Sequence, residues 1–229
     1  MIWDDLAYKY DRLWVQRYSL APTRREILSR VRQRQVGRLL DVGCGTGQLI
    51  EAVTGEAVAG EAVSGEGGIG DAVSGEAVTG DALIACVGID KSAEMIRVAE
   101  AKNPRARFYV RDICGGVPDA LAGEKFDLIV CAHSFPYYTD KRAVLGYIAG
   151  LMAPGAAAIF VQASINNLYD KAVMHFVEKT AEKADYLSKE DFLRLVGERF
   201  VAEEQFDVKE RRLMPSICGF VLRLRGKGE

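Results

Sequence analysis

Apolar positions change their spacing repeatedly along the chain, and each change marks the boundary of an element. Residues 3–33 carry apolar side chains at helical intervals in two stretches, WDDLAYKYDRLWVQRY and one beginning TRREILSRVR; they break at Ala21-Pro22, with Thr23 placed as an N-cap. From Leu39 the pattern changes to short unbroken apolar runs, the signature of strands buried on both faces of a parallel sheet. These runs begin at Leu39-Leu40 and recur at 82–89, 107–110, 125–131 and 156–164. Helical stretches separate them: one opens near Thr46, one covers 91–103 with Ser92 as N-cap, and one covers 140–152, closed by Ala153-Pro154-Gly155. Beyond strand five, 166–183 reads as an amphipathic helix carrying His175. Ser188 and Asp191, spaced as a capping box, open another helix through Gly197. Segments 200–209 and 217–225 end the chain as a pair of strands. The alternation predicts one α/β domain over 1–229, a doubly wound, mostly parallel seven-stranded sheet preceded by N-terminal helices.

One stretch fits neither period. Residues 51–85 are a five-residue tandem repeat, EAVTG, EAVAG, EAVSG, EGGIG, DAVSG, EAVTG, DALIA. A period of five makes the valines drift around a helix and switch faces along a strand, and a glycine closing nearly every unit weakens both structures. Asp90 follows Gly47 by 43 positions, where a strand-helix-strand unit of this kind needs about 20. Residues 51–85 therefore read as a mobile insertion, with an acidic docking arm or a short pentapeptide-type β-helix as the functional alternative. A helix that starts at the carboxyl edge of strand one runs back to the opposite edge, so the insertion should lie away from the ligand crevice.

Charge narrows the partners. With 30 Lys plus Arg against 32 Asp plus Glu the net charge is −2, which offers no bulk attraction to nucleic acid or to an anionic membrane. The repeat holds seven acids and no base, leaving the remainder of the chain at +5. No segment has the roughly 18 unbroken apolar residues of a membrane span, and MIWDDLAYKYDRL has no apolar signal-like core, so a cytoplasmic protein with a small partner is expected. Five cysteines, none in a C-x-x-C, argue against a disulfide framework or a metal site; Cys86 and Cys131 lie in apolar runs and read as small buried hydrophobes.

The candidate chemistry sits at Arg38–Ile50, RLLDVGCGTGQLI. Gly43, Gly45 and Gly47 let the backbone approach a ligand closely, and the helix opening after them would aim free N–H groups at an anion. A dinucleotide fingerprint counted from Gly43 needs its third glycine at position 48, which is Gln48. Asp41 would repel a pyrophosphate but suits a ligand carrying an ammonium group. D-V-G-C-G-T-G closely resembles the first motif of the class I S-adenosylmethionine-dependent methyltransferases, which implies a Rossmann-like fold whose terminal hairpin corresponds to the last two strands.

That resemblance assigns the rest of the site residue by residue. It implies cofactor contacts at Asp41, Gly43, Cys44, Gly45, Thr46 and Gly47. Asp90, ending strand two, would take the ribose hydroxyls, with Lys91 and Met95 beside it, although Asp90 could also merely cap the next helix. Asp112 would accept from the adenine amino group, with Ile113 over the ring. Ala7-Tyr8-Lys9-Tyr10-Asp11 matches the A-x-x-Y-D of the quinone-biosynthesis-type branch, whose N-terminal segment, here 1–35, folds over the cofactor; Tyr10 would touch it, or the aromatics would only pack. Ala132 and His133 follow strand four and face the transferred methyl. His133 is the candidate base for a hydroxyl or amine acceptor, or else its backbone holds the cofactor's ammonium while its ring lines the site. Tyr137 and Tyr138 would hold the acceptor or support the sulfonium by cation–π contact, or else fill space. Ser134-Phe135-Pro136-Tyr137 is similar to the N-P-P-Y of nucleic-acid amino-methyltransferases, but Ser134 and Phe135 depart from it. The reading is thus a methyltransferase with S-adenosylmethionine as cofactor and S-adenosylhomocysteine as product, no metal, a small-molecule acceptor, no nucleic acid, and a monomer or homodimer. A non-catalytic cofactor-binding subunit or sensor, or a nicotinamide-dependent reductase, remain the alternatives.

Overall fold

A computed structural model describes residues 2–13, 16–55, 84–178, 184–208 and 215–226. Most of the repeat, 56–83, lies outside the described residues, as do Trp14, the side chain of His175 and residues 179–183. Seven strands form one sheet: β1 (Arg38–Val42), β2 (Ala85–Asp90), β3 (Arg107–Val110), β4 (Phe126–Ala132), β5 (Met152–Ala163), β6 (Phe200–Asp207) and β7 (Ile217–Leu224). Their spatial order is β3-β2-β1-β4-β5-β7-β6. The first five are parallel; β7 runs antiparallel between β5 and β6. The order reverses between β1 and β4, and a crevice at the carboxyl ends of such strands is where doubly wound sheets bind ligands.

Helices cover both faces, as the unbroken apolar runs demand. On one face Ile27 and Val31 of α2 (Ala21–Arg32), Leu49 and Ile50 of α3 (Gln48–Val53), and Ile96 and Ala99 of α4 (Ala93–Lys102) pack with alternate residues of the strands. On the other, Val144, Leu145 and Ile148 of α5 (Lys141–Leu151) and Phe192 and Val196 of α7 (Lys189–Val196) join a chain of rings. Phe135 meets Phe160 at 5.3 Å, Phe160 meets Phe192 at 5.6 Å, and Phe192 meets Phe220 at 4.4 Å. The remaining helices are α1 (Ile2–Tyr10) and α6 (Leu168–Glu178). No helix among the described residues is long and apolar enough to cross a membrane.

Several boundaries differ from the pattern reading. Helix α2 starts at Ala21, directly after a π-helical turn at Gln16–Leu20, with Pro22 in its first turn, where a missing N–H costs nothing. Thr23 is therefore inside the helix and buried, not its cap. Helix α3 starts at Gln48, two residues later than expected, and the first repeat unit supplies its last turn: Glu51–Val53 are helical and Glu51 pairs with Lys102 at 2.8 Å. Strand β5 begins at Met152 and runs through Ala153-Pro154-Gly155. Pairing with β4 shifts between Phe126 and Leu128, so Pro154 sits in an irregularity where its missing N–H breaks no ladder bond.

Register places the repeat's attachment. Arg38, first in β1, stands opposite Ala85, and Ala85 N donates to Gly37 O at 2.8 Å. The chain re-enters the sheet at the amino ends of the strands, across the sheet from the crevice.

Candidate active site

Two acids arrive together where β1 and β2 end. Beyond Val42 the glycine turn is laced to β2: Gly43 N and Cys44 N both donate to Ile89 O, at 2.8 and 3.0 Å, and Gly45 N donates to the Asp90 carboxylate at 2.9 Å. Gly43 has φ of 78°, and a Cβ there would lie 2.3 Å from that of Ser134, so only glycine allows the segment after β4 to pack beneath the turn. Ser134 closes that contact by donating from Oγ to Val42 O at 2.8 Å. The N–H groups of Gly43, Cys44 and Gly45 are thus spent inside the protein, and α3 is only a six-residue helix. Those three N–H groups are closed to a ligand, and what the turn offers it is close approach beside two carboxylates.

Asp90 accepts from Gly45 N and also from Ser92 N at 2.9 Å. Burial raises its pKa, and these two bonds oppose the rise. It does not cap α4: Ser92 does, accepting from Met95 N at 3.2 Å. The N–H groups of Gly45 and Ser92, with a lesser contact from that of Lys91, still leave acceptor capacity on the Asp90 carboxylate. Asp41 is different. It is 3% exposed, and among the described residues no donor or cation offsets the charge of its carboxylate. Burial, then the charge of Asp90, pushes its pKa up to about 7.

The crevice is a cavity of about 550 Å³, and a recess of about 70 Å³ adjoins it around the glycine turn. Both are bordered by Tyr10, Gly43, Gly45, Ala132 and His133. Asp90, Lys91, Met95, Asp112 and Ile113 wall the cavity on its β2–β3 side, while Tyr138 lines it beyond β4. Asp41, Cys44 and Thr46 border the recess. Gly47 borders neither; a Cβ on it would strike the Asn103 amide at 2.7 Å, so this glycine fits the turn against α4. Asp112 accepts from Cys114 N at 2.9 Å and caps a short 3-10 turn.

Two stripes of α1 meet the rest of the domain beside the cavity. Asp4, Tyr8 and the following Asp11 face the body of the domain. Asp4 accepts from Ser92 Oγ at 2.6 Å, Tyr8 donates to Glu94 at 2.6 Å, and Asp11 accepts from Thr46 Oγ1 (2.5 Å), Gln48 Nε2 (2.6 Å) and Lys102 Nζ (2.9 Å). One position back in the same helical interval, Trp3, Ala7 and Tyr10 form the inner stripe: Ala7 is buried, and Trp3 and Tyr10 line the cavity.

His133 has φ of 60°, rare for a residue with a side chain, and its N–H donates to Val161 O at 2.7 Å. Its Nε2 shares a hydrogen bond with Thr23 Oγ1 at 2.9 Å, and burial lowers its pKa to about 4. The Tyr138 hydroxyl is buried without a well-formed hydrogen bond, 3.0 Å from where a Cβ on Gly43 would stand; burial raises its pKa.

A cavity at the switch point, a glycine turn and an acid at the end of each of two neighbouring strands coincide with a family match. The model described as "Methyltransferase domain" fits residues 12–199, most of the chain. This chain belongs to the methyltransferase-domain family. A ubiquinone biosynthesis O-methyltransferase from Rhodopseudomonas palustris is 29% identical over 129 residues, 56% of this chain. The match spans 40% of that relative's length. Among solved structures, an S-adenosylmethionine-dependent methyltransferase from Clostridium acetobutylicum superposes with a TM-score of 0.66 at 15% identity, covering 99% of this chain and 100% of that one. An N-methyltransferase from Bradyrhizobium japonicum, solved in complex with S-adenosylhomocysteine, superposes with a TM-score of 0.65 at 16% identity over 93% of this chain and 92% of its own. These likenesses establish the fold.

The methyltransferase domain brings Trp3 and Tyr137, both marked by the sequence, together with residues that it did not mark. Trp3 meets the Tyr137 ring edge-on at 5.3 Å, and the Tyr137 and Tyr186 hydroxyls are 3.2 Å apart. Lys141 and Asp185 line the same part of the cavity. Arg24 borders the recess and donates to Gln16 at 3.2 Å and to Gln48. Trp3 had a detectable signal, its position seven residues before Tyr10; Lys141, Tyr186 and Asp185 come together only through the fold.

Proposed function

We propose that this chain is an S-adenosylmethionine-dependent methyltransferase acting on a small-molecule acceptor in the cytoplasm, as a monomer or homodimer, without metal or nucleic acid. The observation that carries the reading is Asp41: a buried carboxylate whose charge no donor or cation among the described residues offsets, bordering a recess beside Asp90. A ligand with an ammonium group and a ribose diol would complete both acids, and a dinucleotide would bring its phosphates against them. The cofactor supplies a methyl already activated on a sulfonium. The chain's own task is to bind, align and exclude water. Asp41 would hold the ammonium, Asp90 the ribose, and Met95, Ile113 and Asp112 the adenine side. Tyr10 and Trp3 on α1 would cover the site, which supports a lid role for the N-terminal helices.

For His133 the geometry favours the quieter alternative. Hydrogen-bonded to Thr23 and hard to protonate, it places the backbone after β4 and lines the site. The Tyr138 hydroxyl, buried in the cavity wall without a well-formed partner, supports a contact to the acceptor. An acceptor that ionises easily needs no stronger base, because the sulfonium already activates the methyl.

A thermal shift assay tests the reading. S-adenosylhomocysteine should raise the melting temperature and NAD should not, and Asp90→Ala should weaken S-adenosylhomocysteine by roughly 1.5–3 kcal/mol for each ribose hydrogen bond lost. Stabilisation by NAD would turn the reading towards a reductase. Cofactor binding without turnover on any of a panel of quinols, phenols, amines and thiols would turn it towards a sensor or subunit.

A further inference from the structure

Beyond β4 the cavity has a fixed cation whose acidic partner is easily exchanged. Lys141 opens α5, and its side chain is 11% exposed in the cavity wall. Its Nζ donates to Tyr138 O at 3.1 Å and Pro136 O at 3.4 Å, which pins the ammonium, and the Asp185 carboxylate lies 3.1 Å away as an ion pair. The Asp185 side chain is 71% exposed, so its pairing with Lys141 is worth little in water. The Asp185 backbone is anchored separately, its N–H donating to Pro136 O at 2.8 Å, so the carboxylate can swing away while the chain stays in place.

Aromatic rings share this part of the cavity wall. Trp3 and Tyr137 line it together with Lys141, Tyr137 packs edge-on against Trp3 and against Tyr186, and the Lys141 ammonium stands 5.8 Å from the centre of the Phe135 ring. Such a wall accepts a flat aromatic guest in the offset or edge-on geometries that rings prefer. Arg111 lies on the β3 side and donates to Gly115 O and Gly116 O at 2.6 and 3.1 Å, so an acidic group on a guest beyond β4 would meet Lys141.

Building on the methyl-transfer reading, we propose that the acceptor is an aromatic carboxylate, that Lys141 reads its acidic group, and that Asp185 occupies that place on Lys141 until the acceptor binds. Carboxylate replaces carboxylate, so the nearly buried ammonium is never left unpaired.

Calorimetric titration of the full chain saturated with S-adenosylhomocysteine tests this, with 4-hydroxybenzoate, its neutral analogue 4-hydroxybenzamide, and tyramine as probes. The acid should bind about tenfold or more tightly than the amide. Lys141→Met should erase that preference while S-adenosylhomocysteine affinity holds. Asp185→Asn should act in the opposite direction, tightening the acid several-fold because its competitor is gone. Equal binding of acid and amide, failure of all three probes to bind at millimolar concentration, or loss of acid binding in Asp185→Asn would overturn the proposal. Preference for tyramine would assign the site to an ammonium and overturn it too. Failure of S-adenosylhomocysteine itself to bind would sink the methyl-transfer reading, whereas its binding without acid preference would sink only this proposal.

Discussion

Asp41 is a carboxylate that folding buries and leaves without a neutralising neighbour, and this sets how proton and ligand compete. Its pKa in the fold, about 7, is above the ordinary 3.8, so the contribution of this group to folding is fully present below pH 3.8 and is lost as pH rises towards 7. A ligand ammonium has the reverse requirement, because it needs the ionised form. S-adenosylhomocysteine affinity should therefore fall as pH drops below about 7, approaching tenfold per pH unit, and Asp41→Asn should bind weakly with a flatter profile. Titrations between pH 5.5 and 8 decide this; a flat wild-type profile would remove Asp41 from the cofactor's ammonium. The carboxylate could be found in the sequence because it stands two residues before the first glycine of the turn. Its isolation could not, since that depends on Gly43, Cys44 and Gly45 spending their N–H groups on Ile89 and Asp90.

At the scale of the element, α1 is held by its polar stripe and not by a core. Asp11 ends that stripe with bonds to Thr46, Gln48 and Lys102, which tie the end of α1 to the glycine turn and to α4. Asp11→Ala should weaken S-adenosylhomocysteine by about tenfold and speed amide exchange through residues 2–10, while the melting temperature of the ligand-free protein moves only a few degrees. Unchanged exchange in α1 would show that the helix is held by Trp3 and Tyr10 alone. The sequence showed the aromatic half of this arrangement at helical spacing. It hid the other half because Asp4, Tyr8 and Asp11 find partners on α4 and the glycine turn, dozens of residues away. The same limit explains β5: Pro154-Gly155 reads as a stop in any local pattern, and only the shifted pairing with β4 keeps that strand continuous. Ser92, Asp140 and Ser188 show the opposite case. Each caps the helix its sequence announced, because a cap is completed within three residues.

At the scale of the whole molecule, the sheet brings Asp41 and Asp90 to one edge and the two ends of the repeat to the other. Alternating apolar runs made the doubly wound sheet and its terminal antiparallel strands legible, since burial on both faces leaves a long record in sequence. The repeat left a different record, a period that suits no packed element. Its attachment points agree with that reading: α3 ends at Val53, the chain rejoins at Ala85 opposite Arg38, and both acids of the site are at the far ends of their strands. Removing Glu56–Gly80, five whole units, would join Gly55 to Asp81 and bring Asp90 to within about 20 residues of Gly47, the usual length of such a unit. For a flexible connection, closure costs only about 0.6 kcal/mol per doubling of length, so the deletion should alter stability by roughly that or less. S-adenosylhomocysteine affinity and turnover should be unchanged. Chemical denaturation and calorimetry of the shortened chain measure both. A variant that unfolds, or that loses a pulled-down partner retained by the full chain, would show that the acidic repeat packs or docks; strong amide protection across 56–80 in the intact protein would show the same without a mutation.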